Sequence, residues 1–173
     1  MCVDAGHPGW GATVQARATQ ALAHADGLLL DTLESADPTA TLALVAGVRA
    51  RCPDAVLYAN RGLGLLPGLA PLIGGVLIEA FSTTHTPAST LHLPDGLAYT
   101  SHWLREVRSL GLDVLALDYA STPELAALAR ARAAREKVPT FITNRALNLP
   151  GGFLAHHPPV TPVPPARRLL SGR

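Results

Sequence analysis

Several features that would assign a chain to a function class on sight are missing from this one. Only 16% of its 173 residues are charged, and 14 basic against 13 acidic side chains leave a formal charge of +1 with the signs mixed along the sequence. No basic face is set aside for a phosphate backbone, which argues against nucleic-acid binding. Cys2 and Cys52 can form at most one bridge and lack CxxC spacing, so neither a disulfide scaffold nor a zinc ribbon is encoded. The seven histidines show neither HxH nor HExxH spacing, and no metal is expected. No apolar run approaches the roughly 18 residues that span a bilayer. The N-terminus lacks the charged and apolar regions of a signal peptide and reads like the middle of a domain. Gly62 and Gly64 follow a strand candidate, but Pro67 stands where a dinucleotide loop places its third glycine, and no GxSxG elbow occurs.

What is present is apolar: 48% of the residues, enough for one hydrophobic core and one domain. Five short apolar runs follow one another, at 26–31 (DGLLLD), 55–60 (AVLYAN), 75–79 (GVLIE), 112–119 (LDVLALDY) and 138–144 (VPTFITN). Near-continuous apolarity is what parallel strands buried on both faces show. Helical spacing lies between them. Over 10–25, Trp10, Val14, Ala18, Ala21, Leu22 and Ala25 form one stripe. Asp37 and Pro38 open a second helix that carries Leu42, Val45 and Val48 inward and Arg49 and Arg51 at its negative end. Ser101 precedes Trp103, Leu104 and Val107 with Gly111 as the stop, and Thr122 and Pro123 precede Leu125 and Leu128. Residues 62–73, interrupted by Pro67 and Pro71, predict a loop with one or two helical turns. Alternation of strand and helix predicts a parallel α/β sheet, closed as a (β/α)₈ barrel or open and doubly wound. The tail over 151–173, rich in proline, cannot join a sheet.

Every strand candidate ends in a polar residue able to do chemistry: Asp31, Asn60, Glu79, Asp118 with Tyr119, and Thr143 with Asn144. In a (β/α)₈ barrel these ends share the rim where active sites are built, which favours the barrel. Asp31 could cap a loop, but Ser35 and Asp37 already serve the next helix. Glu79 is the sharper candidate, because a glutamate behind Val76, Leu77 and Ile78 is costly unless paired or used. Asn60 and Asn144 could serve turn backbone, and Asp118 could be a buried partner for a neighbouring strand. Residues 82–95, rich in Thr, Ser, His and Pro, leave that rim as a long segment expected to cover a cleft and to move.

These runs, with the ANRG and LLP of 59–67 and the HPGW of 7–10, resemble the endo-α-1,4-polygalactosaminidase family of glycoside hydrolases, the family 114 barrels. The resemblance covers nearly everything from Val3 to about Pro150. It implies a (β/α)₈ barrel that hydrolyses an α-1,4-linked galactosamine-rich polysaccharide without a cofactor. Asp31 and Glu79 are then the catalytic carboxylates. The more apolar approach to Glu79 makes it the general acid and Asp31 the nucleophile or base, with the reverse assignment open, and the strand-end Asn60, Asp118, Tyr119 and Asn144 are expected to bind substrate. It also suggests an extracellular or cell-envelope setting, and no membrane span or nucleic acid. Relative to the family, strands one and two are missing, so a partial barrel over 1–150 is expected, truncated at its N-terminus. An upstream segment or a partner chain would complete it, and oligomers would form otherwise. Alternatives are an inactive barrel fragment or another barrel hydrolase, because fold does not fix function. Retention or inversion is left to the carboxylate separation.

Overall fold

The computed structural model describes residues 4–149 and 152. Five strands, β1 (Gly27–Leu30), β2 (Val56–Asn60), β3 (Gly75–Glu79), β4 (Asp113–Tyr119) and β5 (Thr140–Thr143), form one parallel sheet in sequence order. Helices α1 (Pro8–Leu22), α2 (Pro38–Arg51), α3 (Leu66–Leu69), α4 (Pro94–Ser109) and α5 (Pro123–Glu136) alternate with them. A doubly wound sheet reverses its strand order at a switch point, whereas this one never does. The winding is that of a TIM-type barrel, five strands of it, with no pairing between β1 and β5 among the described residues. The tail expected over 151–173 lies, Gly152 apart, outside the described residues.

Local chemistry explains where the helices start. His7 accepts the Gly9 amide through Nδ1 at 3.1 Å ahead of Pro8. Asp37 accepts the Ala40 amide at 2.8 Å ahead of Pro38, and Thr122 accepts the Leu125 amide at 3.3 Å ahead of Pro123. Each uses an acceptor for an orphan helix N–H and a proline where no N–H is needed. Three expectations change. Helix α1 starts at Pro8 and ends at Leu22 rather than running 10–25. Helix α4 begins at Pro94, well before Ser101, because Pro94 and Asp95 already make a helix start. In α5 the inward stripe is Ala126, Ala129 and Ala133, and Leu128 is exposed. The interrupted stretch after β2 folds as a 3-10 turn at Leu63–Leu65 followed by α3.

The core lies on one face of the sheet only. Leu57, Ala59, Val76, Ile78, Val114 and Ala116 point to the helices and pack with Val45, Val48, Leu66, Leu69, Leu104 and Val107. Residues of the other parity form the face that a barrel turns inward. Here that face is open: Leu29 is 54% exposed, Val56 48% and Phe141 40%. Burial of the strands on both faces, expected from their apolarity, holds for the helix side and not for this one.

Candidate active site

The rim residues meet because strand alternation sends them to one face. The pairing of Leu29 with Tyr58, Asn60 with Leu77, and Glu79 with Leu117 puts Asn60, Glu79 and Tyr119 on the concave side, with Asp31 one residue past β1. One amide ties them together. Asn60 Nδ2 donates to Asp31 Oδ1 at 2.9 Å and to Glu79 Oε2 at 3.1 Å. The Tyr119 hydroxyl donates to Glu79 Oε1. Asp31 Oδ1 also accepts the Thr32 amide at 2.7 Å. Of the expected site residues, four are thus brought into one hydrogen-bonded cluster.

Burial, then the bond to Glu79 and the negative charges of Glu79 and Asp31, hold the Tyr119 phenol far above its ordinary range. The hydroxyl keeps its proton and acts as a donor. The backbone turns sharply behind each rim residue: Thr32, Arg61 and Ala80, which follow Asp31, Asn60 and Glu79, all have positive φ, between 55° and 62°. Non-glycine residues held there cost about 1–2 kcal/mol each, and such strain gathers at functional sites.

Asp31, Asn60 and Glu79 line a cleft of about 270 Å³ with Thr32, Glu34 and Arg61 among its other walls. Within it Asn60 Oδ1 and Arg61 Nε are buried with no hydrogen-bond partner among the described residues. The His85 ring packs on Tyr119 with centroids 5.1 Å apart. Sequence reasoning missed Glu34 and His85, since neither ends an apolar run, whereas Arg61 is expected at the rim as a positive charge beside the acids. A larger groove of about 660 Å³ lies between α1, α2 and β1, mostly apolar, and meets the cleft at Asp31 and Thr32.

Two expected substrate residues stand elsewhere. Asp118 pairs with Ile142 on the helix face and is fully buried, out of reach of the cleft. Its Oδ1 accepts the Ser82 and Thr83 amides at 2.6 and 2.9 Å and the Thr83 hydroxyl at 3.2 Å. Asn144 bonds within its own loop, Nδ2 to Asn148 Oδ1 at 2.6 Å. Among the described residues no cluster of His, Cys, Asp or Glu could hold a metal ion, and no helix is long and apolar enough to cross a membrane.

Neither a family profile nor a curated protein matches the chain by sequence. Solved structures do. The glycoside hydrolase domain of PelA from Pseudomonas aeruginosa superposes with a TM-score of 0.74 at 27% identity, over 86% of this chain. The chain carries the fold of that glycoside hydrolase domain. A variant of the same domain, with one glutamate replaced by alanine, gives a TM-score of 0.73 at 26% identity over 86% of this chain. The chain spans 65% of the length of either. The barrel-type fold expected from the polygalactosaminidase resemblance is therefore the fold observed, in partial form.

Proposed function

We propose that Asp31 and Glu79 form the carboxylate pair of a glycoside hydrolase acting on an α-1,4-linked, galactosamine-rich polysaccharide. The observation that carries this reading is the Asn60 amide bonded to both acids at once, on the rim of a fold shared with a glycoside hydrolase domain. Glycosidic cleavage needs one carboxyl to protonate the leaving oxygen and a second to attack or to activate water. The Asn60 bridge limits the two bonded oxygens to at most about 6 Å apart, the two hydrogen bonds laid end to end. Retaining enzymes hold their carboxyls about 5–5.5 Å apart and inverting ones about 6.5–9.5 Å; a bridge through one oxygen of each acid admits the shorter spacing, and the anomer first released tests retention.

Asp31 serves as nucleophile. Its Oδ1 takes both donors, and no described residue bonds Oδ2, which is left for the anomeric carbon. Glu79, with both oxygens engaged by Asn60 and Tyr119, serves as acid and then base. Asp31, Glu34 and Glu79 against Arg61 give the cleft a negative balance that suits a protonated amino sugar. The open apolar concave face fits a barrel that further parallel strands complete, and the longer PelA domain is in keeping with that. An inactive fragment is the second reading, favoured by the same open face. Release of reducing ends from a galactosamine-rich polymer separates the two.

A further inference from the structure

Directly behind Glu79, four successive residues are held by polar side chains, the half-buried His92 and the buried Thr100, Asp118 and Arg132, none of which lines the cleft. His92 Nε2 meets the Ala80 carbonyl at 2.8 Å. The Phe81 carbonyl accepts from Arg132 and from the Thr100 hydroxyl, the latter at 2.9 Å. Asp118 takes the Ser82 and Thr83 amides. Thr83 Oγ1 then accepts the Tyr119 amide at 2.8 Å, which closes the ring back onto the site.

Arg132 is 6% exposed, lies 4.0 Å over the Phe81 ring, and donates to Thr100 and Ser101 hydroxyls at 2.9 Å each. A buried arginine and a buried aspartate are costly to keep. Hydrophobic packing alone would fill α5 more cheaply, and the neighbouring stripe of Ala126, Ala129 and Ala133 does so. What the pair accomplishes is fixation of a chain that enters the segment through the left-handed Ala80.

We propose that Arg132 and Asp118 are positioning residues for Glu79: by clamping residues 81–83 from the helix side they set the end of β3, and with it the bond between Glu79 and Tyr119. This rests on the reading of Glu79 as part of the site, but its test does not need turnover. With only three tyrosines, Tyr58, Tyr99 and Tyr119, the protein can be labelled with 3-fluorotyrosine and read by ¹⁹F NMR, Tyr119 being assigned by its loss in Tyr119→Phe. Glu79→Gln gives the position of the Tyr119 signal when the carboxylate is gone. Arg132→Met and Asp118→Ala should each move the Tyr119 signal towards that position while the Tyr58 signal stays in place. Arg132→Lys and Asp118→Asn, which keep a donor or an acceptor, should move it part of the way. If the harsher variants do not fold, the conservative pair decides. A Tyr119 signal unmoved in folded variants of both residues overturns the proposal, whatever the protein does to sugars.

Discussion

Asn60 does more at this site than an asparagine at a strand end announces. In sequence it looks the same as Asn144, since both follow an apolar run. Only the packing of β2 between β1 and β3 puts its amide between two acids, while Asn144 turns back on Asn148. The meeting of Asp31 and Glu79 at one rim was legible because both are acids that end apolar runs of parallel strands. Asp118 and Tyr119 were harder to separate: the run through β4 is apolar on both parities, so nothing marked which neighbour faces the cleft. Asn60→Ala removes the bridge and leaves two like charges facing one another, and turnover should fall about 100-fold with secondary structure unchanged by circular dichroism. Tyr119→Phe should lower turnover about 10–100-fold in the same assay, with unfolding free energy within about 1 kcal/mol of the parent. At the other end of the sheet, burial and the bond to Asp113 push the Tyr58 phenol from 10.0 up to about 12. The folded state therefore holds a proton that the unfolded chain has lost. Its contribution to stability is complete below about pH 10 and vanishes as pH rises through about 12. Denaturant titrations should show stability falling more steeply over that window than in Tyr58→Phe, and equal slopes would contradict the assignment.

Among the elements, the strands and most crossover helices could be read from apolar runs and caps, and the segment after β3 could not. Its composition, rich in Thr, Ser, His and Pro, predicts a mobile cover. In the fold it bridges to itself at Thr83 and Leu91, Thr84 N bonds Thr90 O at 2.7 Å, and its base is held by Asp118. The Asp118 bonds come from 35 and 36 positions away in sequence, which local patterning cannot register. One signal was available: Arg132 falls three residues after Ala129 on the inward stripe of α5, where a charge demands a buried partner. Amide exchange should find Ser82 and Thr83 among the most protected residues, with the exposed Thr86 and Ala88 exchanging far faster. Asp118→Ala strands three buried donors and should cost about 3 kcal/mol or more in urea unfolding. Rapid exchange at Ser82 in the parent protein would remove the basis for that figure.

For the whole molecule, strand order and helix-side packing agree with a barrel, and the concave face is where sequence and structure part. Apolarity on both parities reports that a strand is to be covered on both sides, without saying by what. With Leu29, Val56 and Phe141 exposed beside strand edges that no described residue pairs, the 18.1 kDa chain on its own should self-associate in sedimentation velocity. Val56→Thr with Phe141→Thr should shift it towards monomer, and a monodisperse monomer at all concentrations would contradict that view of the face. The central claim, a carboxylate pair that cleaves glycosidic bonds, is tested most directly by reducing-end release from soluble α-1,4-linked galactosaminoglycan. The parent protein, Asp31→Asn and Glu79→Gln are to be compared at matched folded concentration. Release by the parent, with each variant slower by about 1,000-fold or more, is the predicted result. A parent that releases nothing, or variants that cleave at the parent's rate, would contradict it.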